Sequence, residues 1–136
     1  MKGVYPVLLS QGTDYVIVSV PDFEADTQGK DLSEAIEMAR DLIGILGISM
    51  QDKKQELPPA TPLTEIIKEN DNDIVTLVDI DFAEYRRKND LRVVKKNCTI
   101  PSWLNYEAEK VGLNFSSLLA EAIRVKLQLP EYTYRD

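Results

Sequence analysis

Asp79 and Asp81 stand two residues apart in a β-branched run, a spacing that puts both carboxylates on one face of a strand, and Asp14, Asp22 and Asp26 fall near the ends of other strand-like segments. Carboxylates converging from several strands are what metal-assisted phosphodiester hydrolysis needs, because two magnesium ions must be held side by side. The first strand-like run, Val4 to Leu9, contributes no carboxylate, and acidic side chains at strand ends are usually solvated. We therefore expect no catalytic residue, no metal site and no cofactor. The chain has no histidine and a single cysteine, which removes Ser-His and Cys-His nucleophile pairs and the usual zinc ligand sets. Cys98 has no partner for an intrachain disulfide and reads as a small apolar side chain destined for burial.

Residues suited to binding rather than reaction lie near the C-terminus. On a strand over Val93 to Ile100, alternate positions face opposite sides, so Lys95, Asn97 and Thr99 point one way while Cys98 and Ile100 point the other. Lysine donates to guanine, asparagine pairs with adenine and threonine contacts either, which suits a two-stranded ribbon in the major groove of DNA. Further on, Asn114, Ser116 and Ser117 offer hydroxyls and backbone N–H groups at the start of a helix, where a phosphate can be held. Lysine, asparagine and threonine are also common on any exposed strand, and a module that only dimerises is the plainer alternative.

The elements that would position these groups can be read from periodicity. Val4 to Leu9 and Tyr15 to Val20 are strands joined by turn chemistry in Gln11-Gly12-Thr13-Asp14, a β-hairpin, and Phe23 to Gln28 is short enough for an edge strand. Apolar residues at Leu32, Ala35, Ile36, Ala39, Leu42, Ile43 and Leu46 predict an amphipathic helix over 32–46, capped by Asp31 and ended at Gly44 or Gly47. Residues 51–62, with Pro58, Pro59 and Pro62, predict a surface loop, and 63–69 a short helical turn. Asp73 to Ile80 is a strand returning to the first sheet, and the charged stretch Ala83 to Asp90 reads as a linker or a solvated helical turn. These elements make an α+β domain over residues 1–90, a small antiparallel sheet with one packed helix.

Residues 91–130 form a second domain, followed by a tail over 131–136. Its strand passes into a helix at Pro101; Gly112 stops that helix and Asn114 caps the next, which ends before Pro130. Roughly 37 residues are too few for a stable core without metal, disulfide or oligomerisation, so two copies should pair their strands. Cys98, Ile100, Leu104, Leu118, Leu119 and Ile123 are then the expected dimer core.

The net charge of −7 is unevenly spread. Residues 1–91 hold nine basic against eighteen acidic residues, a net of −9, whereas residues 92–136 hold seven against five, a net of +2. The acidic part should repel DNA and attract a basic protein, which hints at two partners of opposite charge. No apolar run approaches the roughly 20 residues of a membrane span, and the N-terminus lacks the pattern of a secretion signal. A cytoplasmic location, away from membrane, is expected.

Lys95-Lys96-Asn97-Cys98-Thr99-Ile100-Pro101 together with Gly112-Leu113-Asn114-Phe115-Ser116-Ser117-Leu118-Leu119 resembles the ribbon-helix-helix DNA-binding domain. Lys96 stands where an apolar residue is usual, and its aliphatic stem can lie along the core edge with the ammonium in solvent. Upstream, Tyr5-Pro6-Val7, Asp14-Tyr15-Val16-Ile17-Val18 with Pro21-Asp22-Phe23, and Thr27-Gln28-Gly29 with Leu32 to Ala39 resemble the HicB-like domain. Glu24-Ala25-Asp26 stands where that family often has a Leu-Pro-Gly-Cys-like turn.

The resemblance implies a degraded RNase H-like fold without nuclease activity, which binds a small basic HicA-like toxin and masks its catalytic histidine. It also implies autoregulation, with the ribbon-helix-helix homodimer, or a tetramer built from it, holding the complex on operator DNA of its own operon. Two other readings compete with this antitoxin function. One is a stand-alone ribbon-helix-helix regulator whose N-terminal domain binds a ligand or multimerises; the other is a residual magnesium-dependent nuclease.

Overall fold

In the computed structural model the described residues are 1–130, and the expected tail over 131–136 lies outside them. The chain divides into two compact units, Met1–Arg92 and a second that begins at Val93.

The first unit starts with the hairpin. Strands β1 (Lys2–Gln11) and β2 (Val16–Val20) pair antiparallel from Leu8 opposite Ser19 to Gln11 opposite Val16, and the Gly12 N–H donates to the Tyr15 carbonyl at 2.8 Å to close the turn. A single 3₁₀ turn, Pro21–Phe23, and Glu24 at φ 49° re-aim the chain into the edge strand β3 (Ala25–Gly29). Strand β4 (Ile74–Asp81) returns beside β1, antiparallel from Lys2 opposite Asp81 to Leu9 opposite Ile74, and completes a sheet of order β3-β2-β1-β4. Alternation sends Tyr5, Val7, Leu9, Val16, Val18, Val20, Val78 and Ile80 to one face, where Ala35, Ala39 and Ile43 of helix α1 (Leu32–Asp52) meet them in a single core. The Asp31 carboxylate caps α1, accepting from the Glu34 N–H at 2.8 Å.

Helix α1 is longer than its sequence signals indicate. Gly44 and Gly47, read above as stops, lie inside it, and both are buried. A Cβ built on Gly44 would come within 2.7 Å of the Tyr85 ring, and one on Gly47 would collide with Phe82. The glycines are there for close approach of a second helix, α2 (Phe82–Lys88), and that approach offsets their low helix propensity. The expected linker over 83–90 is therefore a docked helix up to Lys88. Phe82 is fully buried, the Tyr85 hydroxyl is 2.8 Å from an Asp41 carboxylate oxygen, and Arg86 reaches Asp52 at 2.9 Å. The Asp81 carboxylate accepts from the Glu84 N–H at 3.2 Å, which caps α2 and holds that carboxyl below its usual range.

The expected surface loop starts at Lys53, two residues later than predicted, because α1 runs through Gln51 and Asp52. It is tied down at two points. The Tyr5 hydroxyl donates to the Pro58 carbonyl at 2.9 Å, and Thr61 donates to Asp22 from its N–H at 3.1 Å and its hydroxyl at 2.5 Å. Burial, with the nearby Asp22 charge, raises the Tyr5 pKa, so this phenol stays a donor. Among the described residues no helix is long and apolar enough to cross a membrane.

Gly47→Ala is expected to destabilise the first unit by about 1–3 kcal/mol, because the added methyl must displace the Phe82 ring. A urea midpoint by far-UV circular dichroism checks it. The fluorescence transition of Trp103, the single tryptophan, belongs to the second unit and should stay in place.

Candidate nucleic-acid interface

Residues 93–100 form no strand, and among the described residues no segment pairs with them. A strand expected here requires its partner to come from a second copy. Lys95, Asn97 and Thr99 are all exposed along this segment, as are Lys96 and Cys98. The expected burial of Cys98 is thus not met within one chain, where the thiol is free and exposed. Val93 and Val94 are 96% and 79% exposed, a degree that an isolated apolar pair does not favour in water.

Helix α3 (Ser102–Lys110) follows Pro101, whose carbonyl accepts from the Asn105 N–H at 3.0 Å. Gly112 ends it at φ +70°, a left-handed conformation costly to any residue with a Cβ, while the Leu113 N–H returns to the Ala108 carbonyl at 3.1 Å. Asn114 then caps α4 (Phe115–Lys126), its carboxamide oxygen accepting from the Ser117 N–H at 3.1 Å. The structure therefore brings Asn114, Ser116 and Ser117 together at one helix start. One amide counted above for phosphate is already used by the cap, which leaves the Phe115 and Ser116 N–H groups and the two serine hydroxyls.

Ala108 is the single buried apolar side chain of this unit among the described residues. The residues expected to build the dimer core are each substantially exposed in one chain: Ile100 45%, Leu104 41%, Leu118 44%, Leu119 39% and Ile123 49%. Leu118, Leu119 and Ile123 share one face of α4 by their spacing, and the described residues leave that face substantially exposed. Full burial of one such side chain is worth about 1.5–3 kcal/mol, so the surface these residues still expose is a large unused share of the unit's available stabilisation.

The carboxylates considered for metal chemistry do not converge. Asp26 and Asp79 sit on the two opposite edges of the sheet, three strand spacings of about 4.8 Å apart. Asp79 pairs with Arg40 at 3.1 Å, Asp81 caps α2 and Asp22 holds Thr61. Among the described residues no group of three His, Cys, Asp or Glu is placed to hold a metal ion.

Sequence reasoning missed the second face of the sheet, opposite α1. The residues that alternate with the core, Val4, Leu8, Ile17 and Leu77, are apolar as well, and that double pattern was the available signal.

Comparison with known proteins bears on both units. The sequence profile of the HicB-like antitoxin of bacterial toxin-antitoxin systems matches residues 5–123. An uncharacterised 14.9 kDa protein of Haemophilus phage HP1 is 30% identical over 110 residues, covering 79% of this chain and 80% of that protein. A chain of a toxin-antitoxin complex from Streptococcus pneumoniae superimposes with TM-score 0.58 at 28% identity, covering 93% of this chain and 99% of that one. The antitoxin HicB of Burkholderia pseudomallei shares the fold, with TM-score 0.52 at 17% identity over 92% of this chain and 96% of its own.

Leu119→Asp puts a charge on the uncovered face of α4 and is expected to halve the solution mass of the full chain, or to unfold its second unit. Light scattering that returned an unchanged dimer mass would contradict this.

Proposed function

The chain belongs to the HicB-like antitoxin family of bacterial toxin-antitoxin systems, and on that premise we propose that it neutralises a small basic HicA-like, mRNA-cleaving toxin by direct binding and represses its own operon through operator DNA. The observation that carries this reading is the family match across residues 5–123, because it spans the acidic unit and the strand-helix-helix unit together. In this scheme the chain is a cytoplasmic regulator without catalytic activity of its own. The first unit, with its net −9 over residues 1–91, covers the toxin as a degraded RNase H-like scaffold.

The second unit acts as a ribbon-helix-helix homodimer. Two copies pair residues 93–100 antiparallel, which satisfies the backbone groups of that segment and closes the α3 and α4 faces over a shared core of Cys98, Ile100, Leu104, Leu118, Leu119 and Ile123. Lys95, Asn97 and Thr99 from both strands then lie on the outer face of one ribbon and read base edges in the major groove. The α4 start at Asn114, Ser116 and Ser117 grips a backbone phosphate and fixes the ribbon's register. The exposure of all six core residues in a single chain supports this assembly.

Two measurements test the two halves of the proposal. Tagged residues 1–92, or the full chain, should co-purify with the product of a neighbouring small basic open reading frame and restore growth when both are expressed. No complex with either would leave a DNA-binding regulator whose first unit serves another purpose. Lys95→Ala or Asn97→Ala should weaken operator binding by about 1–3 kcal/mol and leave the dimer mass unchanged. Unaltered operator affinity in both variants would remove the ribbon face from DNA contact.

A further inference from the structure

The sheet of the first unit has two faces, and α1 covers one. On the other, Pro6 stands opposite Leu77, with Val4, Leu8 and Ile17 on the same face; Pro6 is fully buried, whereas Val4, Ile17 and Leu77 remain 48%, 42% and 50% exposed. The segment before β4 borders this face and forms a cleft of about 210 Å³ with it. Leu8, Ile17, Ser10 and Ser19 line its sheet side. Three carboxylates, Asp26 on the edge strand and Glu69 and Asp73 on the bordering segment, complete the lining, which contains no lysine or arginine. Asp73 is buried and its carboxylate accepts from the Asn70 N–H at 3.2 Å, so the turn that carries Glu69 and Asp73 is held in a fixed form.

We propose that this open sheet face is where the first unit docks its basic protein partner, which lays an apolar patch on Val4, Ile17 and Leu77 and inserts a lysine or arginine side chain into the cleft between Asp26 and Glu69. The inference rests on the antitoxin reading and adds the surface that performs it. Charge decides the occupant. A second copy of this unit would bring another net −9 over residues 1–91 against three carboxylates, whereas a basic chain gains from each of them. An apolar centre with an acidic border is also the arrangement in which apolar contact supplies affinity and charge supplies specificity and association rate.

The test uses the full chain and, as probe, the small basic protein encoded beside it, with dissociation constants measured at low and physiological salt. Asp26→Lys and Glu69→Lys should each weaken binding about tenfold or more, and Ile17→Ser should weaken it at both salt concentrations. Glu37→Lys, the same charge change on the exposed side of α1, should cost less than about threefold. Circular dichroism spectra and operator affinity should be unchanged in all four, which reports an intact fold. Equal losses for the three charge reversals would mean a long-range field without a docking face, and undiminished binding in the face variants would mean another surface; either result overturns the inference and leaves the antitoxin reading standing. A fall in solution mass for Ile17→Ser would assign the face to a second copy and overturn it too. Failure of the unaltered chain to bind the probe would remove the antitoxin reading and this inference together.

Discussion

The interior of a protein domain must be large enough to repay the entropy of ordering its chain, and residues 93–130 do not reach that size alone. With Ala108 as its one buried apolar side chain among the described residues, this unit has well-formed local structure and almost no core. Helix α4 is capped by Asn114 and the turn before it is fixed by Gly112 at φ +70°, yet neither supplies the free energy that burial would. The missing core has to come from another surface. The exposed apolar residues lie on residues 93–100 and on both helices, and the antiparallel second copy proposed above would meet all three at once by symmetry.

In the proposed function the same constraint links assembly to DNA contact. In the proposed dimer the segment that carries Lys95, Asn97 and Thr99 pairs as a strand, so those residues gain fixed spacing in the same step that buries Ile100. A single chain offers the same residue types without a rigid presentation. The first unit has no such dependence, since its core of Tyr5, Val7, Leu9, Val16, Val18, Val20, Val78, Ile80 and Phe82 closes within one chain. The acidic unit and the basic-leaning one thus answer to different physical demands, which is why the net charge of −7 misrepresents both.

Much of the local structure was legible because its signals are local. The hairpin follows from alternation and turn residues, and the Asp31 and Asn114 caps follow from residue type and spacing. What failed depended on contacts distant in sequence. Gly44 and Gly47 look like helix stops to any local rule, and only the rings of Phe82 and Tyr85, packed from the next helix, explain why α1 continues through them. Residues 83–90 look like a linker because their charges are numerous, and the two aromatics that dock the helix are a small part of the segment. The six site residues near the C-terminus were placed by pattern, and the structure groups Asn114, Ser116 and Ser117 while leaving Lys95, Asn97 and Thr99 on an unpaired segment.

The open face of the sheet was legible in principle, through a break in alternation. A strand in an antiparallel sheet that faces water on one side reads as apolar and polar residues in turn. Strand β1 does not, since Val4-Tyr5-Pro6-Val7-Leu8-Leu9 is apolar at every position. Such a run belongs to a strand covered on both faces, but the first unit contains only one long helix, and α1 covers the side bearing Tyr5, Val7 and Leu9. The other side is only partly sheltered, by neighbouring strands and the segment before β4, and Val4 is left about half exposed. A continuous apolar strand in a domain with a single long helix therefore leaves apolar surface on its second face, and Asp26, Glu69 and Asp73 give the border of that face its negative charge.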